Sequence, residues 1–123
     1  MSRILVTEDD DAYRKVLRTV LHRAGYEVVE ARDGTEAVAY VRRESPDLIV
    51  TDILMPGCDG IETMMAVRQL RPGMRVIAIS GGGRIHPADF LHMASKLGAR
   101  RTLAKPFSNA QFLETVAEVL AEP

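Results

Sequence analysis

Asp52 is the residue around which the chemistry of this sequence gathers. It ends the run Asp47-Leu48-Ile49-Val50-Thr51-Asp52, whose β-branched apolar residues follow Pro46 and read as a strand covered on both faces. Pro56, Gly57 and Gly60 then force a turn before a helix can begin. Three other short apolar runs end on groups of complementary chemistry. Glu8 and Asp9 follow Ile4-Leu5-Val6, Ser80 follows Val76-Ile77-Ala78-Ile79, and Lys105 follows Thr102-Leu103-Ala104. If these runs are parallel strands of one sheet, all of those side chains arrive at a single edge, where open α/β sheets bind ligands. Three neighbouring carboxylates repel one another and call for a hard divalent cation, for which oxygen ligands and water suit Mg²⁺. A lysine and a hydroxyl aimed at the same place are what a transferring phosphoryl group requires, and one carboxylate is then free to act as nucleophile and form an acyl phosphate.

The elements that must position these groups follow from periodicity. Tyr13, Val16, Leu17, Val20, Leu21 and Ala24 recur at helical spacing and are closed by Gly25. Val28 and Val29 make a second strand, Asp33-Gly34 a turn, and Ala37, Val38 and Val41 the buried side of a second helix. Ile61, Met64, Met65 and Leu70 mark a third helix, stopped by Pro72-Gly73, with both methionines read as core fillers. Phe90, Met93, Ala94 and Leu97 predict a fourth helix ending at Gly98. Phe112, Leu113, Val116, Val119 and Leu120 line a last one. Strand and helix alternate five times, and the strands lie too far apart for hairpins. The pattern predicts a doubly wound (βα)5 α/β fold with a five-stranded parallel sheet and helices on both faces. No linker or repeat divides residues 1–123, which are expected to form one domain.

Composition narrows the function classes. The 123 residues are 46% hydrophobic and 27% charged, as in a globular protein with a real core. A formal charge of -1 argues against direct nucleic-acid binding or attachment to acidic membranes. One cysteine offers no disulfide framework, and no apolar segment reads as a signal peptide or membrane span. A cytoplasmic location is the expectation.

Taken in order, Ile4-Leu5-Val6-Thr7-Glu8-Asp9-Asp10, Asp52-Ile53-Leu54-Met55-Pro56-Gly57 with Gly60, Ser80-Gly81 and Lys105-Pro106-Phe107 resemble the receiver domain of two-component response regulators. The likeness runs from the first strand to the last helix. It implies strand order 2-1-3-4-5 and a signalling phosphoacceptor that assists its own phosphorylation and dephosphorylation, not an enzyme with an external substrate. Asp52 would accept the phosphoryl group from a sensor histidine kinase or a histidine phosphotransfer protein. Glu8, Asp9, Asp52 and the backbone carbonyl of Leu54 would hold Mg²⁺. Ser80 would receive the phosphoryl oxygens, and Lys105 would pair with Asp52 before transfer and with the phosphoryl group after it. The downstream partner is a protein or an output domain, and the domain itself a monomer or weak dimer. Either it stands alone or it is the receiver portion of a longer regulator. Thr102 occupies the switch position, together with Ser80, where many members carry Tyr or Phe. Arg100-Arg101 replaces acids found in many members, and Gly81-Gly82-Gly83 lengthens the loop after Ser80. Ordering of residues 81–90, presenting the start of the fourth helix and with it Arg100 and Arg101 to a partner, is the switch these departures imply.

Other assignments fit the residues less well. A magnesium-dependent hydrolase with an Asp nucleophile would carry Asp-x-Asp-x-Thr after the first strand, which holds adjacent acids instead. A flavodoxin-type carrier needs a hydroxyl-rich phosphate loop there, and four acids would repel a phosphate. Asp10 and Asp11 are read as residues favouring a helix N-terminus. His22, His86 and His92 share no ligand spacing, Gly81-Gly82-Gly83 lacks the Lys-Ser/Thr of a P-loop, and Cys58 sits in the loop after Asp52.

Overall fold

The structure, a computed structural model, describes residues 1–53, 60–80, 92, 95–96 and 98–123. Strands β1 (Arg3–Thr7), β2 (Glu27–Ala31), β3 (Leu48–Asp52), β4 (Val76–Ser80) and β5 (Arg101–Ala104) form one parallel sheet in the order β2-β1-β3-β4-β5. The helices are α1 (Asp11–Arg23), α2 (Gly34–Arg43), α3 (Gly60–Leu70) and α4 (Asn109–Ala121). Most of the stretch in which Phe90, Met93, Ala94 and Leu97 predict a further helix lies outside the described residues, as do the loop at 81–90 and Leu54 to Asp59. His92, Ser95 and Lys96 are helical.

Strand alternation divides the core in two. Ile4, Val6, Leu48, Val50, Ile77, Ile79 and Leu103 face α1 and α4, where they meet Leu17, Leu21, Phe112, Val116 and Val119. Leu5, Ile49, Val76 and Ala78 face α2 and α3, against Ala37, Val41, Met64 and Val67. The central strands β3 and β4 are buried along their whole length. Short polar caps start the helices. Asp10 accepts from the Tyr13 N–H at 3.1 Å, Asp33 from Glu36 at 2.9 Å and Ser108 from Gln111 at 3.0 Å. Asp10 and Asp11 thus serve the start of α1, as expected of them, while Asp33 caps a helix as well as ending a turn.

Three positions depart from the sequence pattern. Val16, assigned to the buried face of α1, is 49% exposed, and Met65, read as core, is 53% exposed. On α3 the inward place beside Met65 is taken by Met64, which is 1% exposed. On α1 the buried line is Arg14, Leu17 and Leu21. Arg14 can lie there because its guanidinium donates to the Glu8 carbonyl at 2.8 Å, to Asp11 at 2.6 Å and to Glu30 at 3.1 Å.

Helix α3 begins directly against the end of β3. A Cβ on Gly60 would fall well inside contact distance of the Ile53 Cα and the Asp52 carbonyl oxygen, both backbone atoms that cannot swing aside. Gly60→Ala is therefore expected to destabilise the protein by about 1–3 kcal/mol, the usual range for overpacking a filled site. Urea unfolding of the two proteins measures this, and an unchanged midpoint would show that helix and strand separate freely.

Candidate functional site

The sheet register brings the chemistry-bearing residues to one edge. Thr7 pairs with Thr51, so Glu8 stands level with Asp52. Ser80 pairs with Ala104, and the Lys105 N–H donates to the Ser80 carbonyl at 2.7 Å. Alternation then decides which side chains meet. Glu8 continues the row of Ile4 and Val6, Asp52 that of Leu48 and Val50, and Lys105 that of Leu103, all on the α1–α4 face. Ser80 instead continues the row of Val76 and Ala78 toward α2 and α3. Its Oγ is buried with no hydrogen-bond partner among the described residues.

Lys105 is the centre of the cluster. Its Nζ donates to Glu8 Oε1 at 2.7 Å and to Asp52 Oδ2 at 2.8 Å, although those residues lie 97 and 53 positions away in the chain. Glu8 is 1% and Asp52 5% exposed, while Asp9 is exposed beside them. One carboxylate oxygen from each of Glu8, Asp9 and Asp52 lies within 4.8 Å of the others. Burial pushes the Glu8 carboxyl up to about 7, the nearby Asp52 charge adds to this, and the bond from Lys105 opposes it. Burial pulls the Lys105 ammonium down, but its bonds to Asp52 and Glu8 outweigh that and raise it overall. The Glu8 backbone is held from both sides, its N–H donating to the Ala31 carbonyl at 3.1 Å and its carbonyl accepting from Arg14. Arg14 was not among the site residues expected from sequence, since an arginine inside a helical repeat reads as solvated.

The structure thus gathers Glu8, Asp9, Asp52 and Lys105. Ser80 lies one strand away on the other row, and Thr102 sits half-buried inside β5 opposite Ala78. Leu54 and Cys58 lie outside the described residues. Arg100 and Arg101, which the sequence reading offers to a partner on switching, pair within the chain in this structure. Both pair with Glu122, Arg101 also lies near Glu118, and Arg100 donates to the Pro123 carbonyl at 3.0 Å. The candidate site itself is an acidic edge with Asp9 exposed and Glu8 and Asp52 buried. A cavity of about 450 Å³ lies elsewhere, lined by Asp47, Arg71 and Arg75.

A doubly wound parallel sheet with acids after β1, an acid after β3 and a lysine after β5 is the arrangement of a two-component receiver domain. The response regulator receiver domain family matches residues 4–117, and the chain belongs to that family. It is 34% identical to the chemotaxis protein CheY of Bacillus subtilis over 96% of this chain and 97% of that protein. It is 31% identical to sporulation initiation phosphotransferase F of the same organism, over 96% and 93%. It also matches the transcriptional regulator NtrC of a Bradyrhizobium strain at 34% identity, spanning only 24% of that protein. Among solved structures, a CheY-like receiver domain protein from Methanospirillum hungatei superposes with a TM-score of 0.87 at 31% identity, covering 98% of this chain and 94% of that one. The family is one of signalling domains that work with histidine kinases or phosphotransfer proteins. No helix of the described residues is long and apolar enough to cross a membrane.

The elevated Glu8 carboxyl has a thermodynamic signature. The folded protein holds a proton there at pH values where the unfolded chain, titrating near 4.5, has lost it. The stability it contributes is therefore complete below about pH 4.5 and lost as pH rises through about 7. The stability of wild type relative to Glu8→Gln should fall between pH 5 and 8, by up to roughly 3 kcal/mol. Denaturant unfolding at a series of pH values checks this, and a difference independent of pH would place the Glu8 carboxyl back in the ordinary range.

Proposed function

We propose that Asp52 is the phosphoacceptor of this receiver domain. The observation that carries the reading is the Lys105 ammonium held between Glu8 and Asp52, with Asp9 within 4.8 Å of both acids. In the transfer, an Asp52 carboxylate oxygen attacks the phosphorus of a phosphohistidine on a sensor histidine kinase or a histidine phosphotransfer protein. The P–N bond breaks, its electron pair stays on the imidazole nitrogen, and an acyl phosphate forms on Asp52. The protein's part is positioning and charge. Lys105, already on the acceptor oxygen, exchanges its Asp52 contact for an oxygen of the incoming phosphoryl group. Ser80, buried at the adjoining strand end with its hydroxyl unpartnered among the described residues, gives that group a second donor. Thr102, opposite Ala78 on β5, shares the switch position with Ser80.

The donor set of Glu8, Asp9 and Asp52 fits a hard divalent cation, since one carboxylate oxygen from each lies within 4.8 Å of the others. Glu8, Asp9, Asp52 and the backbone carbonyl of Leu54 would hold Mg²⁺. When bound, it supplies the positive charge that offsets the carboxylates and the developing negative charge on the phosphoryl oxygens. The same residues would assist hydrolysis of the acyl phosphate by water, so that the domain resets itself. A cytoplasmic location, a monomer or weak dimer and a protein target without direct nucleic-acid binding complete the proposal.

Residues 1–123 act, in this reading, as one receiver domain. Coverage of nearly the whole chemotaxis relative supports a domain that signals to a separate partner. Coverage of 24% of the NtrC relative supports the alternative, a receiver joined to an output domain.

Incubation with acetyl phosphate and Mg²⁺ should add the mass of one phosphoryl group to wild type and none to Asp52→Asn. Chelation of the cation should prevent the gain. Intact-mass spectrometry reads both results. A wild type that stays unmodified with acetyl phosphate and with a histidine kinase would sink the proposal, and equal labelling of the Asn variant would move the acceptor elsewhere.

A further inference from the structure

The Lys105 ammonium has three sides to satisfy, and the carboxylates take two of them. A third contact comes from α1. The Nζ lies over the ring of Tyr13, 4.3 Å from its centroid. That is well within the distance at which the negative face of an aromatic ring attracts a cation. The ring is itself braced. Phe107 meets Tyr13 edge-on, with centroids 6.4 Å apart at 68°, and packs in turn against the buried Phe112 of α4 at 5.6 Å. Phe107 lies two residues after Lys105, and Tyr13 receives the Asp10 cap on its N–H, so both rings are set by the loops that carry the site. It is the face of the ring that meets the ammonium.

Building on the reading of Asp52 as acceptor, we propose that Tyr13 is a positioning residue for phosphoryl transfer, its aromatic face holding the Lys105 ammonium against Asp52. A flexible lysine without such a backing leaves its carboxylate partners easily, because water solvates an ammonium well. With the ring on one side, the ammonium is shielded from solvent there and stays at the acceptor oxygen, ready to pair with the phosphoryl group. The requirement is for a π face, not for a phenol. Phenylalanine should substitute and an aliphatic residue of similar bulk should not.

The test compares Tyr13→Phe and Tyr13→Leu with wild type in two measurements. The first is the rate of phosphoryl labelling by acetyl phosphate in Mg²⁺. Tyr13→Phe should stay within about twofold of wild type, and Tyr13→Leu should be slower by about two- to thirtyfold, the range for losing one cation–π contact. The second needs no phosphorylation. Amines are acetylated with an N-hydroxysuccinimide ester, and each lysine is followed by peptide mass spectrometry. Lys105 should react at least twofold faster in Tyr13→Leu but not in Tyr13→Phe, while the exposed Lys15 and Lys96 keep their rates as internal references. Lys105 reactivity that is unchanged in Tyr13→Leu, or raised equally by Phe and Leu, would overturn the proposal. So would a Tyr13→Leu protein that labels at the wild-type rate. If wild type takes no phosphoryl group at all, the failure belongs to the acceptor reading, and the acetylation experiment alone decides whether Tyr13 holds the lysine.

Discussion

The contact on which the site depends is the ammonium of Lys105 lodged between two buried carboxylates. Glu8 and Asp52 are almost wholly withdrawn from water and would repel each other strongly without a cation between them. Removing the lysine would take its ammonium from both buried acids at once, and losing one partner of a buried ion pair is costly. Burial is what holds the Glu8 carboxyl up to about 7, and the bond from Lys105 works against it. The contact with Lys105 is what lets these acids tolerate burial at the end of a largely apolar core.

Everything around the contact restricts where those charged groups can go. The Glu8 backbone is pinned by β2 through Ala31 and by α1 through Arg14. Arg14 is in turn tied to Glu30 on β2 and to Asp11 in its own first turn. Behind Asp52, helix α3 starts on a glycine so close to the strand that no side chain fits. Above Lys105, a row of three aromatic rings leads into the core beneath α4. The rigid parts of the fold are thus concentrated under the acids and the lysine. Chemistry by positioning needs just this, because the side chains themselves do little covalent work beyond supplying one carboxylate oxygen.

The basic residues divide by their partners. Arg14 and Lys105 serve the acidic edge, whereas Arg75, Arg100 and Arg101 close on the last residues of the chain, all three reaching Glu122. That second cluster ties β4, β5 and the end of α4 together at the opposite edge of the sheet. Arg100 and Arg101 are therefore spent on internal contacts, and a signal leaving through β5 would have to loosen those pairs or bypass them.

Much of the architecture was written in the order of residues. Alternating apolar runs and helical stripes allow few topologies once short parallel connections and right-handed crossovers are required. Residues at the carboxyl ends of such strands must converge, so Glu8, Asp9, Asp52 and Lys105 could be grouped from sequence alone. Helical periodicity could not say which of two adjacent side chains turns inward. That depended on the neighbouring helix and sheet, which chose Met64 over Met65 and left Val16 outside. It could not foresee a buried arginine either, because burial of Arg14 is tolerable only once Glu8, Asp11 and Glu30 from three segments surround it. Ser80 shows the finer limit. Its place at the sheet edge follows from the strand pattern, but its row follows from a one-residue difference in parity relative to Asp52. Tyr13 read as one more apolar residue of an amphipathic helix. Only the packing of α1 against the β5 loop put its ring under a cation, since a cation–π contact has no sequence spacing of its own.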